Sequence, residues 1–305
     1  MGAAARAPAA SVVIATWNGR DWLARCLAAL DRQSYADFEV VVVDNGSDDG
    51  TAEWLVVERP GVHLLRLASN QGFAAANNVG FERALGRFLV TLNNDALPEP
   101  GWLERLVAAA SRPDVGMVAS RVVLLERPGR LDSAGIGVNQ AGVAFQRGRG
   151  RPAAWANEPG YVFGPSAAAA LYKRELLAAV GGFDETFFAL YEDVDLAWRA
   201  QRVGWRCWYA PAAVAAHHHS ATTGRDPARK RYLLGRNKWW TLARNYPWPS
   251  LMWWAPLILL VDLAAVIAQT LRHRDLAAVR GRLAALPRLA EIARQRRPQR
   301  ERQPE

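Results

Sequence analysis

The sequence has 305 residues, half of them apolar, which suits one large α/β domain with an appendage and a sizeable core. Its two cysteines, Cys26 and Cys207, lie in apolar or aromatic surroundings, so we expect reduced core thiols and no disulfide-stabilised secreted scaffold. Of the net charge of +9, residues 272–305 contribute +6 (ten arginines, four acidic residues), which favours an anionic surface near the C-terminus and excludes a nucleic-acid groove across the protein.

The first 92 residues alternate between short apolar runs and segments with helical spacing, after an N-terminus (1–10) predicted to be disordered. Asp49 is the predicted N-cap of the second helix. Strands alternating with helices indicate βαβ units and a mainly parallel, Rossmann-like sheet. The predicted strands are 11–16, 38–43, 62–67 and 88–92, and the predicted helices are 21–30, 51–57 and 72–85.

The pattern continues less regularly after Pro98. Residues 126–160 are rich in Gly, Arg and Pro with poor periodicity, which predicts a mobile loop over a site and a candidate lid. The predicted α/β domain therefore covers 11–245. Its remaining elements are helices at 102–110, 174–180, 192–202 and 232–245, strands at 115–123 and 205–209, and an apolar segment at 167–172.

The C-terminal part, 246–305, is hydrophobic and then basic. Residues 251–271 are long enough to cross a bilayer, but one proline, one aspartate and one glutamine weaken that interpretation. The tail at 276–297 predicts a basic helix with Leu and Ala on one face. We expect an embedded or interfacial anchor on anionic lipid; the alternative is an ordinary buried helix that packs on the catalytic domain.

Polar residues follow two of the predicted strands. Asp44 ends the second strand, and Asn93 and Asp95 follow the fourth. Ligands of open parallel sheets bind at the carboxyl ends of strands, where Asp44 could accept hydrogen bonds from a base or ribose. The oxygens of Asn93 and Asp95 could coordinate Mg²⁺ or Mn²⁺ shared with substrate phosphates. The alternative is that both clusters are polar turns.

Two later clusters offer a proton acceptor and a metal ligand. Glu192 and Asp193 open a predicted helix, where they either complement the helix dipole or supply a general base. Histidines occupy 217–219, and three in a row cannot all face one ligand. One of them is expected to complete the metal site, with Pro211 and residues 220–222 fixing the loop.

The ordered set of motifs resembles the inverting family 2 glycosyltransferases with a GT-A fold, and within them the rhamnosyltransferase-like branch. The resemblance covers roughly residues 11–245. The matched stretches are SVVIATWNGRDWLARCL, VVVDNGSDDGT, NQGFAAANN, LNNDA, GPSAAAALYKRE, GGFDETFFALYEDVDLAWRAQRVGW and RNKWWTLARN.

The resemblance implies roles for five residues in donor and metal binding. Thr16 and Asp44 would contact the nucleoside. Asn93 and Asp95 stand where the family has its Asp-x-Asp metal motif, and the asparagine lowers the negative charge of the site. His217 matches the family's late histidine, which reaches the metal or the diphosphate. The implied cofactor is Mg²⁺ or Mn²⁺.

The resemblance also implies the reaction. Asp193 matches the catalytic base of the family's Glu-Asp pair, with Glu192 supporting the acceptor site. The expected enzyme transfers a sugar, such as rhamnose or another deoxysugar, from a nucleoside diphosphate to a cell-envelope glycan or lipid-linked acceptor. The donor base is open between uracil, thymine and guanine. The expected location is the cytoplasmic side of the membrane, and no nucleic acid is expected as a partner.

Two other functions remain as alternatives. A dinucleotide-dependent oxidoreductase would need G-x-G-x-x-G after its first strand, where TWNGRD stands instead. A non-catalytic nucleotide- or glycan-binding module would keep the fold but would not need Asp193.

Overall fold

The computed structural model describes residues 6–218 and 226–296. Predictions about residues 1–5, the third histidine (His219), the 220–222 turn and the tail beyond 296 lie outside the described residues. The first strand begins at Ala10, one residue before the predicted start and within the segment predicted to be disordered. Both cysteines are free and buried, as predicted.

The N-terminal half follows the predicted alternation of strands and helices. Its second helix differs in its cap, because Gly50 with φ +76° occupies that position. Asp49 instead accepts a hydrogen bond from the Thr51 N–H. The elements are β1 (Ala10–Thr16), α1 (Arg20–Leu30), β2 (Phe38–Asp44), α2 (Thr51–Glu58), β3 (His63–Arg66), α3 (Phe73–Arg83) and β4 (Phe88–Leu92).

The second half departs from the prediction in two places. Three short strands and a 3₁₀ turn interrupt the segment 126–160, for which an irregular loop is predicted. Runs of three residues are too short to show a period of two. The strand predicted at 205–209 continues to His217 through a register shift after Ala210. The elements are β5 (Ala96–Pro98), α4 (Trp102–Ala109), β6 (Val115–Leu124), β7 (Leu131–Ser133), β8 (Ile136–Val138), β9 (Ala144–Gln146), β10 (Gly160–Val162), β11 (Ala169–Lys173), α5 (Arg174–Val180), α6 (Glu192–Arg202) and β12 (Arg206–His217).

One large sheet of ten strands forms the centre of the fold, in the order β10-β12-β6-β11-β4-β1-β2-β3, with β5 on β12 and β7 on β6. Along this path only β11 and β10 run opposite to the others. Both faces are covered, because Val12 and Ile14 of β1 join one apolar cluster and Val13 joins another. The α/β, mainly parallel architecture is thus confirmed.

Four helices follow the sheet: α7 (Pro227–Asn245), α8 (Trp248–His273), α9 (Ala277–Ala285) and α10 (Leu289–Arg294). The prediction of a single basic helix at 276–297 is wrong. A 3₁₀ turn at Leu286–Arg288, which contains Pro287, separates α9 from α10. Trp240 of α7 packs in a small core with Ala285 and Ile292.

Helix α8 is long and apolar enough to cross a membrane. It has 26 residues, and only 11% of its most apolar stretch is buried. The alternative of an ordinary buried helix therefore does not describe it. The division of the chain at 245/246 stays a prediction.

Asp262, the acidic residue within the apolar sequence of α8, has three hydrogen-bond partners on the neighbouring helices. Asp262 is buried and accepts hydrogen bonds from Lys238 Nζ at 3.1 Å, Trp239 Nε1 at 3.1 Å and Arg282 Nη2 at 3.0 Å. We call these four side chains the Asp262 clasp. The clasp joins α7, α8 and α9 at one point.

Candidate functional site

The predicted donor-binding residues lie at one edge of the sheet. Thr16 and Asp44 are register partners at the carboxyl ends of β1 and β2, and Asn93 follows β4 on the other side of β1. Asn94 Nδ2 donates to Thr16 Oγ1 at 2.9 Å, which ties the β4 loop to β1. Sequence analysis did not single out Asn94, although it stands between two predicted site residues.

Asp44 presents a carboxylate oxygen toward this edge. Its side chain is fully buried, and Oδ1 accepts a hydrogen bond from the Ser47 N–H at 3.0 Å. Oδ2 makes no hydrogen bond with any described residue, and its ion-pair partner, Arg66 Nε, is 3.8 Å away. A buried acceptor in this state is suited to a hydroxyl or N–H of a ligand.

Asn45 builds a second wall of the edge. Its Nδ2 donates to Asn70 Oδ1 and to the Gly72 carbonyl, both at 3.1 Å, and its Oδ1 accepts from the Gln71 N–H at 2.9 Å. Sequence analysis treated Asn45 only as part of a turn. Its partners lie 25 to 27 residues along the chain, so no local pattern could have identified them.

His217 lies beside Asp95 because β12 pairs with β5. The Asp95 Oδ1 to His217 Nε2 distance is 3.1 Å, and the Asn93 amide nitrogen also lies 3.1 Å from Nε2. On the other side of the ring, Nδ1 is 2.8 Å from Asp132 Oδ2. The structure thus brings Asn93, Asp95 and His217 together and adds Asp132, which sequence analysis missed.

Electrostatics favour a charged imidazole at this point. Burial by itself would lower the pKa of His217. Hydrogen bonds and charges from Asp132 and Asp95 outweigh burial and raise that pKa to about 9. A pKa of about 9 favours a protonated ring between the two carboxylates at neutral pH.

The donor set fits a divalent cation that is shared with a substrate. Within 6–218 and 226–296, no three His, Cys, Asp or Glu side chains are grouped closely enough to hold a metal by themselves. However, Asp95 Oδ1 and His217 Nε2 lie 3.1 Å apart, so a cation bound here would have one carboxylate oxygen and one imidazole nitrogen within reach as ligands. Oxygen and imidazole donors with phosphate oxygens completing the shell suit Mg²⁺ or Mn²⁺.

Glu192 and Asp193 begin α6 at the same side of the sheet. Asp193 is partly exposed, and its Oδ2 accepts a hydrogen bond from the Ala167 N–H at 3.3 Å. The next carbonyl, that of Ala168, accepts from the Asn93 N–H at 2.8 Å. Two consecutive residues, Ala167 and Ala168, therefore connect Asp193 to the loop that begins at Asn93.

Both carboxyl groups hold their protons more tightly than usual. Burial raises the pKa of Asp193, and it raises the pKa of Glu192 with a further contribution from the neighbouring Asp193 charge. Glu192 Oε2 is buried and makes no hydrogen bond with any described residue. A carboxylate whose pKa is shifted toward neutrality is a better proton acceptor at physiological pH.

A cavity of about 350 Å³ opens between the strand ends and α7. Asn45, Asn93 and Asp95 line its polar side, and Phe188 and Leu190 line its apolar side. The first turns of α7 add two cations, Arg229 and Lys230. Asn93 and Asp95 are predicted site residues in this lining, whereas the other five do not form part of it: Thr16, Asp44, Glu192, Asp193 and His217.

Comparison with known proteins places these features in a family. The family described as glycosyl transferase family 2 matches residues 11–181. An N-acetylglucosaminyl-diphospho-decaprenol L-rhamnosyltransferase of Mycobacterium tuberculosis is 31% identical over 281 residues, covering 81% of this chain and 87% of that protein. The uncharacterized protein y4gI of Sinorhizobium fredii is 32% identical over 235 residues. The match covers 72% of this chain but only a quarter (25%) of y4gI.

The fold also has solved relatives. The mannosyltransferase PcManGT from Pyrobaculum calidifontis, in complex with GDP-Man and Mn²⁺, superimposes with a TM-score of 0.57 at 22% identity, covering 95% of this chain and 84% of that one. This likeness concerns the fold, which is that of the GT-A glycosyltransferases. The family match extends over more than half of the chain, and the chain therefore belongs to glycosyl transferase family 2 and is a glycosyltransferase.

Proposed function

We propose that the protein is a metal-dependent, inverting glycosyltransferase that moves a sugar, rhamnose or another deoxysugar, from a nucleoside diphosphate to a lipid-linked cell-envelope acceptor. The observation that carries the proposal is the backbone link between the two halves of the site. Ala167 contacts Asp193, and Ala168 contacts the Asn93 loop. These hydrogen bonds link the proposed proton acceptor on α6 to the proposed cation ligands after β4, which supports one common site.

The donor is bound at the strand ends. Asp44 Oδ2 accepts a hydrogen bond from the nucleoside, with Thr16 on the adjacent strand, and the amide of Asn45 keeps the cavity open for it. Bound at Asp95 and His217 beside Asn93, Mg²⁺ or Mn²⁺ would supply positive charge for the leaving diphosphate. The cations Arg229 and Lys230 face the same cavity.

Asp193 supplies the proton acceptor. Its carboxylate takes the proton of the acceptor hydroxyl while that oxygen attacks the anomeric carbon on the face opposite the diphosphate. A carbon–oxygen bond to the acceptor forms and the bond to the diphosphate breaks, so one displacement inverts the configuration. Glu192 retains its proton longer than a typical glutamate because burial raises its pKa, and it supports the acceptor side of the site.

The sugar and acceptor in this proposal follow the mycobacterial relative, whose name specifies a rhamnosyltransferase acting on a diphospho-decaprenol-linked sugar. Helix α8 supports a lipid partner because its apolar surface is exposed. Arg272 and Arg274 are also exposed at its C-terminal end, where they suit anionic lipid on the cytoplasmic side of the membrane. Its most exposed large side chains are Met252, Trp253, Leu260 and Leu271.

The test is turnover by Asp193→Asn. We expect transfer from a panel of UDP-, dTDP- and GDP-sugars with Mn²⁺ or Mg²⁺ to fall by about 10²- to 10⁴-fold, while binding of the nucleoside diphosphate persists. Glu175→Gln is the control, since Glu175 is an exposed partner of Arg87 beyond the other end of β11. Unchanged turnover in Asp193→Asn, or no metal-dependent binding of any diphosphate, would contradict the proposal.

A further inference from the structure

The backbone just before the acidic pair has an unusual conformation. Phe188, Leu190 and Tyr191 have φ values of 66°, 72° and 74°. Left-handed backbone is unfavourable for residues with a side chain, above all for bulky ones. Three such residues within four positions persist only where the surroundings hold them. We call residues 186–191 the switchback segment.

A buried amide on α7 holds the switchback segment. Asn237 is fully buried, and its Nδ2 lies 3.0, 2.9 and 2.7 Å from the carbonyl oxygens of Phe187, Ala189 and Leu190. An amide has two N–H groups, so three acceptors share them. The Asn237 side chain therefore binds three backbone carbonyls of the switchback segment.

Two other groups, the Arg236 side chain and the Ala74 N–H, also bind carbonyls of the switchback segment. The Arg236 guanidinium donates to the carbonyls of Thr186 and Phe187 at 3.0 and 2.9 Å. From the opposite side the Ala74 N–H donates to the Phe188 carbonyl at 3.1 Å. This approach requires glycine at position 72, where a Cβ would lie 2.5 Å from the same carbonyl oxygen.

The segment leads directly into the site. Tyr191 is the N-cap of α6, its carbonyl accepts from the Asp195 N–H, and Asp193 lies in that first turn. Phe188 and Leu190 line the cavity. A shift of the segment would therefore displace Asp193 and the cavity wall together.

We propose that Asn237 is a positioning residue, which sets the location of the Asp193 carboxylate by holding the backbone of the switchback segment. The inference rests on the proposed function, because it assigns Asp193 the role of proton acceptor. Asn237 does not line the cavity. Its effect is expected on the chemical step, since a displacement of about 1 Å can cost about 10²-fold in rate.

The test compares Asn237→Ala with Asn245→Ala. Asn245 is also a fully buried amide on α7, but its Nδ2 donates to Asp195 Oδ1 at 2.6 Å and, within the described residues, its side chain makes no hydrogen bond with the switchback segment. For each variant, kcat, KM for the donor, binding of the nucleoside diphosphate, melting temperature and backbone hydrogen exchange are measured. We expect a loss of about 10- to 100-fold in kcat in Asn237→Ala, with unchanged diphosphate binding and faster exchange at 186–193.

Two results would overturn the inference. One is a kcat for Asn237→Ala within about twofold of that for Asn245→Ala at equal loss of melting temperature. The other is unchanged exchange at 186–193. If Asn237→Ala does not fold, Arg236→Lys probes the hold on the same segment through the carbonyls of Thr186 and Phe187, and the same two readouts decide. A third result separates the two proposals. If exchange at 186–193 is faster in Asn237→Ala but the wild type transfers no sugar, the proposed function is refuted, whereas the role of Asn237 in holding the segment is supported.

Discussion

Glu192 carries a carboxyl group that the fold desolvates without a compensating hydrogen bond on Oε2. Because burial raises its pKa, the unfolded chain releases the proton at lower pH than the folded protein does. The free energy of unfolding should therefore fall as pH rises from the unfolded pKa toward neutrality and beyond. Glu192→Gln should remove this slope, so the variant gains stability relative to wild type as pH rises.

Urea denaturation at several pH values between acid and mildly alkaline conditions measures this difference. Glu175→Gln is the matched change at an exposed site, where an arginine partner and hydrogen bonds lower the pKa of the glutamate instead. Identical pH dependence of wild type and Glu192→Gln would show that the buried carboxyl contributes nothing to the slope.

The proposed role of Asp193 as proton acceptor predicts a pH dependence of kcat/KM. Its carboxylate must be ionised to accept a proton, and burial raises its pKa. We expect kcat/KM to fall as pH falls through this raised pKa, well above the range of an ordinary aspartate. Since Asp193 and Glu192 are adjacent, the acid limb reports the pair. A rate that stays constant down to the ordinary aspartate range would exclude Asp193 as the base.

At the scale of single residues, the sequence predicted the location of polar residues at or just after the ends of strands. Asp44, Asn93 and Asp95 could be placed at one edge because the carboxyl ends of parallel strands coincide. Asp132 and Asn237 could not. Asp132 meets His217 from 85 residues away, and Asn237 meets the switchback segment from 47 to 50 residues away. Such partners are determined by tertiary packing, which a single sequence does not display.

At the scale of elements, the Asp262 clasp joins α7 to α8 and α9. Asp262→Ala would leave Lys238 and Arg282 as cations without their buried carboxylate. Loss of one partner of a buried ion pair costs about 3–5 kcal/mol. We expect a loss of this size in urea denaturation.

Asp275→Ala is the control for the clasp, because Asp275 pairs with Arg231 near the surface between α8 and α9. It should have a much smaller effect. Equal effects of the two substitutions would mean that the clasp contributes no more than a surface ion pair.

The element predictions failed where irregular geometry replaced periodicity. β12 continues beyond Pro211 because a bulge realigns it with β6, whereas a proline normally argues for the end of a strand. The strands within 126–160 have only three residues each and are separated by glycine turns, so they leave no periodic pattern in the sequence. In contrast, β1, β2 and β4 were predicted closely, because strands buried on both faces leave continuous apolar runs in the sequence.

At the scale of the whole molecule, α8 carries eight of the exposed large hydrophobic residues in the described part of the chain. Replacing Met252, Trp253, Leu260 and Leu271 by Ser should abolish binding to anionic vesicles, since burial of each large apolar side chain is worth about 1.5–3 kcal/mol. Flotation with vesicles of mixed neutral and anionic lipid measures this, and high salt should weaken the wild-type interaction.

A matched control alters exposed apolar residues elsewhere. Val56 and Val57 on α2 are 67% and 74% exposed, and their replacement by Ser should leave vesicle binding unchanged. If the α8 variant floats as well as wild type, α8 does not contact lipid. If the control loses binding too, the interaction is a nonspecific adsorption of apolar surface.

The Asp262 clasp has a consequence for the acceptor. A helix tied to α7 and α9 through a buried aspartate cannot slide or turn independently of the catalytic part. When α8 rests in lipid, the height of Asp193 above the bilayer is therefore constant. If Asp193 is the proton acceptor and the acceptor is linked to lipid, as proposed, the reactive hydroxyl must project from the membrane by that same height, and the length of the group between the lipid and the hydroxyl becomes a criterion of selection. Acceptors that are one sugar too short or too long would be refused by distance, whatever their chemistry.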